Sequence, residues 1–255
     1  MEHILSLSYG KDSLACLGAI EELGLPLDRI IHAEVWATET IPADLPPMVE
    51  FKAKADKIIK ERWGIEVEHI RASYCRGSAN PTFEKIFYQT RKSGKYTGSL
   101  VGFSTTLARW CQDLKINAVK EANAVNGIRY IGIAIDEPNR FSNLSDNQIS
   151  PLVEIGWTEA DCRKWCDDNG LLSPIYTNSA RGGCWFCPMQ TLQQLRILRK
   201  SYPDLWALLL KWDKDSPLSF HADGHTVHDF EKRFALEDKG VVPCDRKFRW
   251  NMLNL

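Results

Sequence analysis

The chain has 255 residues, with 32 Lys and Arg against 33 Asp and Glu for a formal net charge of −1 and a pI near 6.6. So neutral a molecule offers no general field to a polyanion, and any nucleic-acid contact needs a local basic patch. Hydrophobic residues at 44% and charged residues at 25% exclude a disordered chain or a coiled-coil rod, while the lack of a signal-peptide pattern in Met1–Leu5 or of any run near ~18 apolar residues points to a cytoplasmic protein with no membrane partner.

Ile4-Leu5-Ser6-Leu7 reads as a buried strand, and apolar residues at Leu14, Leu17, Ala19, Ile20 and Leu23 give the stretch from Asp12 to Leu23 a helical spacing. Gly24 stops that helix, Pro26 prevents its return, and Arg29 to Trp36 supplies a second strand, which predicts a β-α-β unit with a right-handed crossover. A turn from Pro42 to Pro47 leads into a helix over 48–63 and a third strand over 65–70. Residues 71–104 hold Gly, Ser and aromatic residues without a sustained period and read as a long irregular segment, a candidate substrate lid.

Helix returns over 105–124, and Arg129 to Ala134 has the apolar look of a central parallel strand running to Asp136. Ligands of such sheets bind at the carboxyl ends of the strands. Thr158 as N-cap with Asp161 three residues on predicts a capping box, for a helix ending near Gly170. Beyond Arg181 come a Cys-rich turn and amphipathic helices over 191–200 and 204–212. The expectation is an α/β protein, a mainly parallel twisted sheet between helical layers over 1–180, with a Cys-rich helical extension over 181–255.

Ser8-Tyr9-Gly10-Lys11-Asp12-Ser13 lies between the first strand and the first helix. A helix N-terminus presents unpaired N–H groups and the positive end of its dipole, so the junction suits an anion. Gly10 lets the backbone approach a ligand, the Ser8 and Ser13 hydroxyls donate to phosphate oxygens, Lys11 neutralises charge, and Asp12 either caps the helix or helps to position magnesium. The spacing is neither that of a Walker loop nor that of a dinucleotide fold, which removes support from kinase and dehydrogenase readings. It resembles the S-G-G-x-D-S loop of the PP-loop ATP pyrophosphatase superfamily, with Tyr9 in place of the first glycine.

Further motifs follow the order found in the phosphoadenosine phosphosulfate (PAPS) reductase family. They are Gly132-Ile133-Ala134-Ile135-Asp136-Glu137-Pro138-Asn139-Arg140, then Ser150-Pro151-Leu152, Trp157-Thr158, Gly170-Leu171, Pro174-Ile175-Tyr176 and Arg181-Gly182-Gly183-Cys184-Trp185-Phe186-Cys187-Pro188. Arg109-Trp110-Cys111 with Leu114-Lys115 is similar to the family segment in which one or two cysteines precede a lysine, Trp110 standing where the other cysteine would be. The resemblance covers about residues 3 to 190. It implies an adenine nucleotide α-hydrolase fold with Ser8, Gly10, Lys11, Asp12 and Ser13 on the phosphates and Arg140 near the ligand. The chain departs from the family at its end, Arg249-Trp250-Asn251-Met252-Leu253-Asn254-Leu255, where the reductases carry a nucleophilic Glu-Cys-Gly.

Cys184-x-x-Cys187, in a turn led by two glycines, has the shape of half a metal site. Through the resemblance Cys111 becomes the third ligand; isolated Cys244 is taken as the fourth, with Cys75 in reserve. Four thiolates suit a 4Fe-4S cluster or tetrahedral zinc equally, and the family implies iron-sulfur, zinc being the alternative. A thioredoxin-like dithiol at Cys184 and Cys187 fits less well, because their loop does not open a helix straight after a strand. Cys16, Cys162 and Cys166 read as core residues, as do Trp206 and Trp212. His221, His225 and His228 read as solvated surface residues, and Arg196, Arg199 and Lys200 as a solvated face. Glu34 and Glu39 either meet a ribose or magnesium or are edge-loop charges.

The function this implies is an ATP- and Mg²⁺-using enzyme that adenylates its substrate, releases pyrophosphate and supports sulfur transfer to a nucleotide or nucleic acid. Lys11, Asp12 and Arg140 would be the reacting-site residues. The implied partners are a tRNA or DNA acceptor and a sulfur donor protein, with a homodimer as the assembly to test for. The alternatives are a reductase forming sulfite from PAPS or its unphosphorylated analogue APS, and a non-catalytic nucleotide-binding subunit.

Overall fold

The structure, a computed structural model, describes residues 1–103, 109–122, 126–177, 183–245 and 247–254. In chain order its elements begin with β1 (His3–Ser6), α1 (Lys11–Leu23), β2 (Arg29–Ala33), α2 (Pro46–Trp63) and β3 (Val67–Ile70). A small hairpin, β4 (Tyr74–Cys75) and β5 (Ser78–Ala79), precedes α3 (Phe83–Phe87) and α4 (Trp110–Glu121). Then come β6 (Ile128–Tyr130), α5 (Pro138–Phe141), β7 (Gln148–Ile149), α6 (Pro151–Ile155), α7 (Glu159–Asp168), α8 (Leu192–Ser201), α9 (Pro203–Asp215) and α10 (Val227–Asp238). Among the described residues no helix is long and apolar enough to cross a membrane.

The chain divides into two compact units, residues 1–82 with 111–184 and residues 83–110 with 185–255. The segment 83–110, read in the sequence as part of the first domain, thus belongs with the C-terminal residues.

In the first unit five strands pair in the order β3-β2-β1-β6-β7, every neighbour parallel. Alternation along each strand sorts side chains to opposite faces. Leu5, Ile30 and Tyr130 meet Leu14 and Leu17 of α1, Phe51 and Ala55 of α2 and Cys162 and Cys166 of α7, while Ile4 and Ile31 meet Ile70 and Val119 of α4. Helices therefore cover both faces of a parallel sheet. The chain runs outward from β1 through β2 to β3 and returns on the other side of β1 as β6, so the order reverses between β1 and β6, where ligands of open α/β sheets bind.

Local signals explain most element ends. Gly24 adopts φ +62°, the left-handed region, and its N–H closes the last turn of α1 onto the Ile20 and Glu21 carbonyls, as a glycine stop should. The predicted capping box is present: the Thr158 side chain accepts from the Asp161 N–H and the Asp161 carboxylate from the Thr158 N–H. Three strands are shorter than the sequence predicts: β2, expected to run to Trp36, ends at Ala33, and Trp36 bridges to Pro42 instead. β3 begins at Val67, opposite Ile30, and in that register Ile65 falls opposite Asp28, outside β2. β6 ends at Tyr130 rather than Ala134 because the chain bends at Gly132 to pack on the first turn of α1, where an added Cβ would lie 2.5 Å from the Ser13 nitrogen.

The segment 71–104 is less irregular than expected, holding the β4–β5 hairpin, α3 and a bridge between Thr90 and Leu100. Of the helix predicted over 105–124, Trp110–Glu121 is seen, and 105–108 and 123–124 lie outside the described residues. The second unit packs around stacked Trp185 and Trp212 rings with Phe83 and Phe186. Its α10 was not anticipated: Thr226 and Asp229 form a capping box, and Val227, Phe230 and Phe234 are buried.

Candidate functional site

The loop after β1 folds on itself through its serines. Ser8 N–H donates to Ser13 Oγ at 3.1 Å, the two hydroxyl oxygens lie 2.9 Å apart, and Ser13 Oγ donates to the Gly10 carbonyl at 3.0 Å. The Lys11 N–H donates to the Tyr176 hydroxyl at 2.9 Å, and the Leu14 N–H reaches the Gly10 carbonyl. The Asp12 and Ser13 N–H groups, also in the first turn of α1, have no hydrogen-bond partner among the described residues. Two open donors and the positive helix end thus face the reversal point of the sheet. Asp12 does not cap the helix: the N-cap is Gly10, which makes no side-chain cap bond, and Asp12 lies inside the first turn and turns to Lys11.

Lys11 is the residue whose place differs most from expectation. Its ammonium lies 2.7 Å from Asp12 Oδ1 and 2.8 Å from Glu159 Oε1 with the side chain only 12% exposed, so it faces carboxylates instead of standing ready for phosphate. Burial works to lower the Lys11 pKa, but the bonds to Asp12 and Glu159 outweigh it and hold the ammonium charged. For Asp12 burial dominates, and with the charges of Glu159 and Glu137 it raises the carboxyl above its ordinary range despite Lys11. Asp12, Glu137 and Glu159 each bring an oxygen within 4.8 Å of the others. Three clustered carboxylates are the hard donor set that Mg²⁺ takes, and they fit that ion. Glu159 stands at the start of α7, its N–H held by Asp136 Oδ1 at 3.0 Å, so the segment after β6 and α7 together carry the acids to the loop.

A cleft of about 340 Å³ opens beside the loop, lined among others by Ser8, Gly10, Asp12, Ser13, Gly132, Arg140 and Tyr176. Such a volume lies in the range of small-ligand sites. Its lysines and arginine are Lys52, Lys115 and Arg140, its acids Asp12 and Asp44. Arg140 bonds both Glu137 oxygens at 2.7 Å, and Lys115 makes no ion pair among the described residues. Ala33, Val35, Ala43, Leu45 and Met48 give the cleft an apolar wall.

Tyr9 enters the loop at φ 57°, which is rare for a bulky residue. Its ring is fully buried, and its hydroxyl donates to Asp56 and lies 3.1 Å from His69 Nε2. Burial first, then Asp56, push its pKa far up, so the phenol stays neutral. Its backbone belongs to the loop while its hydroxyl is spent on the wall behind it. Glu34 accepts from Trp36 Nε1 and pairs with His69, a structural use of a residue read as a ribose or metal contact or an edge charge.

No disulfide joins any of the eight cysteines. Cys16, Cys162 and Cys166 are buried as expected of core residues; burial pushes the Cys166 thiol up to about 12, and its Sγ donates to the Lys11 carbonyl. Cys111 and Cys184 belong to the first unit, where Cys184 lines the cleft, and Cys187 and Cys244 to the second. The Met189 N–H points at Cys187 Sγ from 3.4 Å, the kind of bond that stabilises a metal-bound thiolate. Sulfur is a donor that iron-sulfur centres and zinc both take; the group of three ligand atoms that the described residues draw together is the carboxylate one. Cys75, the reserve ligand, is buried in the hairpin and Cys244 is exposed.

The three clustered histidines are not simply solvated. His228 Nδ1 lies 2.6 Å from Asp213, and His225 stacks on Trp250 at 3.5 Å; burial lowers the pKa of His221. Their segment leads into α10, which draws them into its packing. Trp206 and Trp212 are buried, and Arg196 and Arg199 pair with Glu237 and with Glu231 and Asp238, so they form no free basic patch. No family model matches the chain, and no curated protein matches it.

Proposed function

We propose that the chain is an adenine-nucleotide-binding enzyme of the PP-loop ATP pyrophosphatase type, akin to the PAPS reductases. It adenylates an acceptor with release of pyrophosphate and supports sulfur transfer to a nucleotide or nucleic acid. The observation that carries this reading is the pair of open Asp12 and Ser13 N–H groups at the start of α1, beside three clustered carboxylates. Donors fixed before the ligand arrives need no reorganisation as charge develops, which is what an anionic leaving group requires.

In the reaction an oxygen of the acceptor attacks the α-phosphorus of ATP, the bond to the bridging oxygen breaks, and pyrophosphate leaves with that electron pair. A sulfur or nitrogen nucleophile then displaces AMP from the adenylated carbon. Ser8, Gly10 and Ser13 hold the phosphates with Tyr9 as the brace behind them, and Asp12, joined by Glu137 and Glu159, holds Mg²⁺. Lys11 supplies counter-charge to those acids, and Arg140 lies on the ligand side. Cys111, Cys184, Cys187 and Cys244 would hold a 4Fe-4S cluster, or zinc as the alternative, with Cys75 the substitute for Cys244. Such a centre, when bound, holds or delivers sulfur or organises the site. A tRNA or DNA acceptor and a sulfur donor protein are the partners, and a homodimer is the assembly to look for.

The test is calorimetry on anaerobically purified protein with ATP, APS and PAPS in the presence of Mg²⁺, using an Asp12→Ala, Ser13→Ala double variant as control. Preference for ATP, lost in the variant and followed by pyrophosphate release with tRNA or DNA, is the expected result. Preference for APS or PAPS with sulfite production overturns it in favour of a reductase, and nucleotide binding without turnover makes the chain a binding subunit.

A further inference from the structure

The nucleotide reading leaves one buried arrangement of the cleft unused. His32, on β2, is 5% exposed, and its Nδ1 lies 2.8 Å from the Leu7 carbonyl. A carbonyl only accepts, so Nδ1 carries the hydrogen and Nε2 presents a lone pair. Lys52 Nζ sits 2.8 Å from that Nε2 and 2.6 Å from Asp44 Oδ2. Burial, then the Lys52 charge, lower the His32 pKa to about 2, so the ring stays neutral near neutral pH.

An ammonium has three donors. Those of Lys52 that reach His32 and Asp44 leave a third without a hydrogen-bond partner among the described residues, on a side chain that lines the cleft with Ser8, Gly10 and Ser13. Lys11, where the sequence places the phosphate-neutralising charge, is held by Asp12 and Glu159. Arg140 is 55% exposed and Lys115 is exposed too, so both lose side-chain freedom on gripping a ligand, whereas Lys52 is fixed beforehand.

We propose that Lys52, in place of Lys11, is the cation the cleft sets against a phosphate group of its ligand, and that His32 is the residue that positions it. The inference rests on the reading of the cleft as a nucleotide site. One imidazole joins two parts of that site, because Leu7 immediately precedes the loop and donates its own N–H to the Ile31 carbonyl at 2.8 Å. The strand end leading into the phosphate loop and the ammonium on α2 are thereby locked to the same ring.

The test uses the full chain, with Mg·ATP and inorganic tripolyphosphate as probes in calorimetry and thermal melting to verify folding. Lys52→Met weakens both probes about 10-fold or more, the loss of one charge-assisted hydrogen bond. His32→Leu weakens them similarly, and His32→Gln recovers part of the loss, since its amide both donates and accepts. The double variant Lys52→Met, His32→Leu is no weaker than Lys52→Met alone, because His32 acts through the lysine. Binding of both probes unchanged in Lys52→Met overturns the inference and leaves the nucleotide reading standing, and wild-type protein that binds neither probe overturns both. Additive losses in the double variant remove the positioning role. Should His32→Leu not fold, Lys52→Met and His32→Gln decide the matter: a Gln variant that binds as weakly as Lys52→Met removes the positioning role.

Discussion

Tyr9→Gly relaxes the loop backbone and removes a buried ring, two effects that oppose each other. At φ 57° an L-residue with a side chain gives up about 1–2 kcal/mol against a right-handed conformation, and glycine recovers that amount. Removing a fully buried aromatic ring costs about 3–5 kcal/mol and losing its hydroxyl's bond to Asp56 about 1.5–3 kcal/mol more, so Tyr9→Gly should leave the protein about 2.5–7 kcal/mol less stable. Tyr9→Phe separates the hydroxyl from the ring: it keeps the strain and the burial but loses the bond to Asp56, at about 1.5–3 kcal/mol for a hydrogen bond to a charged group. Urea unfolding curves of the three proteins, fitted with a common slope, give both differences. A Tyr9→Gly protein as stable as the wild type, or more so, would refute the claim that burial outweighs strain. An unchanged Tyr9→Phe midpoint would remove Asp56 from the account.

At Gly132 an alanine Cβ would lie 2.5 Å from the Ser13 nitrogen and 2.7 Å from the Asp12 carbonyl carbon; overpacking of this kind costs about 1–3 kcal/mol, or about 2–12 °C in melting temperature for a chain this long. Gly183→Ala, with no atom of the described residues within 4 Å of its added Cβ, should melt with the wild type, and equal melting of both variants would contradict the close packing at Gly132. Arg199 holds the Glu231 carboxyl below its usual range; a lowered folded pKa adds stability that is complete above the unfolded value of about 4.3 and is lost as pH falls through the folded one. Acid titration of Glu231→Gln should therefore show a shallower loss of stability below about pH 4.3 than the wild type, and identical slopes would show that the pair contributes nothing. Anaerobic protein should carry iron with a visible charge-transfer band, or zinc without one, and lose it in Cys184→Ser. Metal-free wild-type protein would end the cluster proposal.

What could be read in the sequence was whatever is encoded over short distances. Gly24 and the Thr158–Asp161 box end and begin helices through contacts within one turn, and both stand where the spacing put them. The strands were found by composition, but their ends depend on partners: Ile65 lies outside β3 because β2 has no residue to pair with it, and Ala134 lies outside β6 because Gly132 packs on α1. Helix α10 carries local signals of the same kind. Thr226 with Asp229 is the same box seen at Thr158, and Val227, Phe230 and Phe234 have helical spacing, a signal diluted by the polar residues around it.

The site shows the same division between what is local and what is not. Placing Ser8 to Ser13 at a helix N-terminus needs only the neighbouring strand and helix. The role of each side chain depends on residues far along the chain: Glu159 claims Lys11, Asp56 claims Tyr9, and His32 and Asp44 fix Lys52. A lysine in a phosphate loop is read as phosphate-binding because nothing in its own segment competes for it, and here an acid from 148 positions away does. Lys52, by contrast, stands in an ordinary amphipathic helix, and only the fold brings it to the cleft. Where an acid from a distant element captures the cation of an anion site, the charge must come from elsewhere in the fold, and the residue to look for is a second, largely covered lysine that keeps a donor unspent.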